Sequence, residues 1–148
     1  PINPSLFYSG KIAGYVIWIA LLVGTINASS ITELSIQKQL AIFLSLISII
    51  VIAVSLINLG SAIRLGLPQE STQFRTKGLY KISRNPMYLG FNLLSLSAIL
   101  FIGNFIVLVL GTYSIFTYHL IIQAEESFLE ARFGEIYCAY KSRVRRYI

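Results

Sequence analysis

The stretch Leu40–Ile63, LAIFLSLISIIVIAVSLINLGSAI, carries no charge, and the first cation after it is Arg64. A helix rises about 1.5 Å per residue and needs about 20 residues to cross the hydrocarbon of a bilayer, so this stretch is long enough to span one. Three further apolar blocks accompany it: Ile12–Ile26, Met87–Ile102 and Phe105–Ile122. Gly103-Asn104 between the last two is a tight-turn signal and predicts a helical hairpin. Of the 148 residues, 55% are hydrophobic and 12% are charged, against roughly a quarter charged in an average soluble domain. Mean hydropathy is +0.72. So few polar groups cannot cover a water-soluble globule, and so large an apolar fraction excludes disorder. The expectation is an all-α polytopic membrane protein forming a single domain over residues 1–148. Its spans fall at about 12–28, 39–63, 87–102 and 105–122, with a loop at 64–86 and a tail at 123–148. The first block reads as a span rather than a cleaved signal, because three others follow it. Met87 is the sole methionine, so the N-terminus reads as trimmed.

The net charge of +6 is unevenly placed. The 64–86 loop holds Arg64, Arg75, Lys77, Lys81 and Arg84 against Glu70, and the tail holds Arg132, Lys141, Arg143, Arg145 and Arg146. The 27–39 loop has only Glu33 and Lys38. The positive-inside rule puts loop and tail in the cytoplasm, and four crossings put the N-terminus there as well, beside Lys11. Gly134 interrupts the tail. Beyond it Tyr137, Tyr140, Val144 and Ile148 recur at helical spacing among cations, which predicts a basic amphipathic helix suited to a membrane interface. With no soluble basic domain to present the charge, anionic lipid is the expected partner and nucleic acid is not. Ser45, Ser48, Ser55 and Ala62 share one face of the second block and suit close helix packing better than ligand lining. The acids are all Glu, Cys138 is the lone cysteine and His119 the lone histidine, so neither a disulfide framework nor a multi-histidine metal site is expected.

Two polar clusters meet on the predicted cytoplasmic side. The first runs from Gly78 to Gly90 and contains Tyr80, Arg84, Asn85, Pro86, Met87 and Tyr88. Asn85 suits an N-cap and Pro86 the first helical position. A helix start there presents free N–H groups to a carboxylate or phosphate, next to a guanidinium and two aromatic rings. The second cluster is Glu125-Glu126. Adjacent helical residues point about 100° apart, so the pair cannot converge on one atom. Glu126 and Glu130 repel at i,i+4 unless a cation is near, and the 64–86 loop offers several. The short turn between the last two spans brings Pro86 and Glu125 together.

The pattern Gly-x-Tyr-x-x-x-Arg-x-Pro-x-Tyr-x-Gly over Gly78–Gly90, then a hairpin and Glu125-Glu126, resembles the integral-membrane methyltransferases. These include isoprenylcysteine carboxyl methyltransferases and phospholipid methyltransferases. The tail Phe133-Gly134-x-x-Tyr137-x-x-Tyr140-x-x-x-Val144 is also similar, and the likeness covers roughly residues 64–148. The resemblance implies S-adenosylmethionine held in a cytoplasmic cap by Thr72, Gln73, Phe74, Arg75, Tyr80, Arg84, Asn85, Pro86, Met87, Tyr88, Gly90, Glu125 and Glu126. It implies methyl transfer to a lipid or other lipophilic acceptor, without a metal.

Three positions depart from the pattern. Asn85 stands where many relatives have His. Val144-Arg145-Arg146 stands where relatives often read Val-Pro-Arg. Ile121 stands where the prenylcysteine enzymes place an Arg on the substrate carboxylate, which favours a neutral or amine acceptor. His119 is the candidate proton acceptor, and a helix-packing histidine is the plainer reading. Arg64 is either an interfacial anchor or a substrate gate. The rival functions are an NADPH-dependent membrane reductase of the sterol-reductase type and a non-enzymatic membrane scaffold.

Overall fold

The computed structural model describes residues 2–28, 34–60 and 76–148, and its architecture there is helical throughout. Helix α1, Pro4–Ile26, starts ahead of the apolar block because Asn3 caps it. The Asn3 side chain accepts from the Ser5 amide at 2.9 Å, and Pro4 takes the first helical position. Its buried face is Phe7, Gly10, Gly14, Ile17 and Leu21, at helical spacing. Two glycines on that face bring it close to the last helix: a Cβ on Gly10 would run into the Thr117 side chain, and one on Gly14 would lie 2.7 Å from Ser114 Oγ.

Helix α2, Ile36–Leu59, packs on α3, Pro86–Ile102. The serine stripe makes that contact possible. Ser45, Ser48 and Ser55 are buried, and their hydroxyls donate to the Ile42, Leu44 and Val51 carbonyls of their own helix. Gly90 of α3 lies against Ser48 and Ile52, where an added Cβ would sit 3.2 Å from the Ser48 carbonyl oxygen. Ser97 Oγ crosses to donate to the Ala41 carbonyl at 2.6 Å. Ala62, the fourth member of the stripe, lies outside the described residues.

Gly103 closes α3 in the left-handed region, at φ 66°. Asn104 then caps α4, Phe105–Lys141, by accepting from the Val107 amide at 2.8 Å. Helix α3 packs against all three others, and α1 also packs on α4. Among the described residues, three helices are long and apolar enough to cross a membrane, and α3, at 17 residues, is a shorter apolar one. Large apolar side chains face outward, with Ile57 77% and Phe105 78% exposed, as expected where lipid is the solvent.

Gly134, at φ 50°, breaks α4 after the apolar segment has ended. The amphipathic helix beyond it is present, but its apolar face turns inward. Tyr137, Tyr140 and Val144 form a buried cluster with Leu129 and Phe133, while Ile148 is exposed. The last residues then run back across the segment before α3. Ser83 and Arg145 form a β-bridge, and the Arg84 amide donates to the Arg145 carbonyl at 2.9 Å. The tail thus forms a cap over the start of α3.

Candidate functional site at the start of helix α3

A 3-10 turn at Gly78–Lys81 leads into α3. Gly78, at φ 58°, abuts the Asn58 side chain of α2, so the turn needs both a left-handed residue and the absence of a Cβ. The buried Tyr80 is pinned from above, its carbonyl accepting from Tyr140 Oη at 2.6 Å.

Arg84 and Glu126 meet beneath the cap. Arg84 Nη2 lies 3.1 Å from both Glu126 oxygens, and its Nε donates to Oε1 at 3.2 Å. Its Nη1 donates to the Val144 and Lys141 carbonyls. Arg146 binds the other edge, with Nη2 3.0 Å and Nε 3.1 Å from Oε2. Asn85 Nδ2 adds a bond to Oε1 at 2.9 Å. Glu126 is 4% exposed, and a charge so buried survives only if fully paired. Burial alone pushes its carboxyl up, but hydrogen bonds from Arg146 and Asn85 and the Arg84 charge outweigh that and hold it below the usual range. The expected cation beside Glu126 is therefore Arg84, and Glu130 finds its own in Lys141 at 2.7 Å.

The same geometry corrects the expected cap. Asn85 occupies the N-cap position and Pro86 the first turn, but the Asn85 side chain makes no capping hydrogen bond. It turns to Glu126 and to the Arg146 carbonyl instead. Arg84 and Glu126, both expected on a ligand, are bound to each other.

Glu125 faces elsewhere. Tyr88 Oη donates to its Oε1 at 2.6 Å, closing the gap between α3 and α4. Glu125 lies beyond the apolar 105–122 segment, and burial raises its carboxyl to about 7, against the smaller opposing effects of the Tyr88 bond and the Lys11 charge. Aromatic rings continue from Tyr88 between α1, α3 and α4. Tyr88 and Tyr118 are 5.7 Å apart, Phe91 and Tyr118 stack at 5.4 Å, and Trp18 stacks on Phe91 at 5.3 Å. Trp18 is held by its Nε1 bond to Ser95 Oγ at 3.0 Å. A carboxylate thus stands at the head of an aromatic wall.

His119 points to a third place. Its Nε2 lies 2.8 Å from the Gln123 side-chain amide nitrogen and its Nδ1 2.7 Å from Tyr147 Oη, each at hydrogen-bond distance. Ile121 is buried with Phe7 and Tyr118. Pro86, Met87 and Gly90 lie on the buried side of α3, Gly90 against α2. Arg64, Thr72, Gln73, Phe74 and Arg75 lie outside the described residues. Sequence reasoning missed four members of this region: Lys11, Trp18, Arg146 and Tyr147. Lys11 and Trp18 gave no signal beyond a flanking charge and an apolar helix position. Arg146 and Tyr147 sat in a tail read as an interfacial helix.

The sequence profile described as phospholipid methyltransferase matches residues 36–136, from the start of α2 to just past the Gly134 break. No curated protein matches the chain.

Proposed function

Since the chain belongs to the phospholipid methyltransferase family, we propose that it moves a methyl group from S-adenosylmethionine to a lipophilic acceptor that enters from the bilayer. The observation that carries this reading is the Tyr88–Glu125 pair at the head of the aromatic wall, beside a cap locked by Glu126. The chemistry of the groups present suits such a cofactor. Tyr80 and Tyr88 offer ring faces for adenine and for a sulfonium cation. The first turn of α3, from Met87 onward, offers backbone N–H groups to a carboxylate. Glu125 offers acceptor oxygens at the border between cofactor and acceptor. When bound there, the cofactor would supply an electrophilic methyl on sulfur to the acceptor's lone pair, the bonding pair staying with sulfur.

Arg84 and Glu126 act here as scaffold, fixing the segment that presents Tyr80 and Tyr88. His119, engaged on both ring nitrogens, ties the tail to α4, and Glu125 is the carboxyl that stands at the aromatic wall. Ile121, buried and apolar, puts no cation at its own position for a substrate carboxylate, which favours the amine of a phospholipid as acceptor. Catalysis rests on positioning and exclusion of water. The charge bias of loop and tail supports a cytoplasmic side for the site and both termini.

The test is transfer of a labelled methyl from S-adenosylmethionine into extracted lipids by the purified protein, with identification of the labelled species. Label in an amine phospholipid is expected. Tight NADPH binding without S-adenosylmethionine binding overturns the reading.

A further inference from the structure

We propose that Glu125 removes the proton from the acceptor's ammonium group, and that Tyr88 is the residue that positions its carboxylate for this. The inference rests on the proposed transfer to a lipid amine and deepens it. A protonated amine has no lone pair with which to attack a methyl carbon. One N–H proton must pass to a base before the new N–C bond forms, and it leaves for water before the next turnover. The base must be ionisable, shielded from water and reachable from the apolar side.

Among the described residues, the alternatives are occupied or misplaced. Glu126 is enclosed by Arg84, Arg146 and Asn85. Glu130 pairs with Lys141 at the surface, and the exposed Glu135 lies beyond the Gly134 break. His119 is bonded through both nitrogens. Glu125 remains, held by one neutral hydrogen bond of 2.6 Å where the aromatic wall meets the cap. The groups facing it are Lys11 from α1, Tyr80 from the 3-10 turn and Tyr88 from α3, with Tyr118 of α4 behind Tyr88. Lys11 is the only cation of that set, so ionised Glu125 is less firmly held than Glu126 and is free to exchange a proton. Lys11 lies on α1, ahead of the residues 36–136 that match the family.

The test uses the full chain in lipid nanodiscs containing phosphatidylethanolamine. Three quantities are measured for wild type, Glu125→Gln, Glu125→Asp and Tyr88→Phe. They are the pH profile of single-turnover methyl transfer, S-adenosylmethionine affinity by calorimetry, and the carboxylic-acid C=O stretch by infrared titration without cofactor. In wild type, the acid limb of the rate and the infrared titration coincide near neutral pH. Glu125→Gln loses the infrared transition and about 100-fold or more in single-turnover rate at saturating S-adenosylmethionine. Glu125→Asp keeps the transition and part of the rate. Tyr88→Phe removes a bond to the carboxylate and moves both curves to higher pH together. A Glu125→Gln rate equal to wild type overturns the proposal, and so does a rate loss explained wholly by weaker cofactor binding. If wild type methylates amine lipid and the variant does also, this inference alone fails. If wild type methylates no amine lipid, the proposed acceptor fails with it.

Discussion

On one face of α4, Glu126 is met by two guanidinium groups and an amide. On the adjoining face, about 100° round the helix, Glu125 accepts a hydrogen bond from one phenol, with Lys11 near it. Two identical side chains one residue apart therefore do different work. Glu126 ties together the segment before α3, the helix α4 and the returning tail. Its neighbours hold it ionised, and nothing about it is adjustable. Glu125 is hydrogen-bonded across from α4 to α3, and its surroundings favour the protonated form. Pairing decides the difference. Buried charges that are fully bonded become structural, and buried carboxyls with few partners become titratable near neutral pH.

The comparison breaks most visibly at Glu126. Glu126→Ala leaves Arg84 buried without its anion and Arg146 without its partner. The expected loss is about 3–5 kcal/mol, read by denaturant unfolding in detergent, with cap and bundle both affected. A loss below about 1 kcal/mol, the range of an exposed pair, would show that the knot is not structural.

The pH dependence of stability separates the two acids next. The folded-state carboxyl of Glu125 is raised from its ordinary 4.5 to about 7, so the folded protein binds more protons than the unfolded chain in that window. Its contribution is fully present below 4.5 and is lost as pH rises through 7, by up to about 3 kcal/mol. Glu126 is depressed, so its contribution is present above its ordinary value and is lost as pH falls through the folded one. Glu125→Gln is expected to flatten the neutral-side slope of unfolding free energy against pH and leave the acid-side slope in place. An unchanged neutral-side slope would assign it to another group.

Smaller effects sharpen the division. Arg146→Met removes one of the two guanidinium partners and leaves Arg84. Because Arg146 is partly exposed, the expected cost is about 1–2 kcal/mol, measured by the same unfolding curves. Tyr147→Phe deletes only the hydroxyl facing His119 and should cost about 1 kcal/mol or less. Methyl transfer is expected to be kept in this variant. Loss of transfer in Tyr147→Phe would return His119 to the reaction.

Much of the fold was legible because it depends on local patterns. The uncharged run Leu40–Ile63, the Gly103-Asn104 turn and the Ser45-Ser48-Ser55 stripe each specify helix, hairpin and packing face without reference to distant residues. The divergence of Glu125 and Glu126 was legible too, because helical geometry alone requires it. The remainder depended on partners far away in sequence. Asn85 has the features of an N-cap, and only the arrival of Glu126, 41 residues on, draws its side chain away. The apolar stripe Tyr137, Tyr140 and Val144 has the period of an interfacial helix, and periodicity does not say whether lipid or protein covers it. Lys11 reads as a flanking charge until α1 packs on α4 and places it near Glu125.

The most direct test of the account is methyl transfer itself, compared between the two acids. Purified wild type and Glu125→Gln, both verified as folded, are given labelled S-adenosylmethionine in nanodiscs containing phosphatidylethanolamine, and the lipid fraction is counted. The account predicts label in the amine phospholipid for wild type and at least about 100-fold slower labelling for the variant. Equal labelling by both proteins, or none by wild type that binds the cofactor, would contradict it.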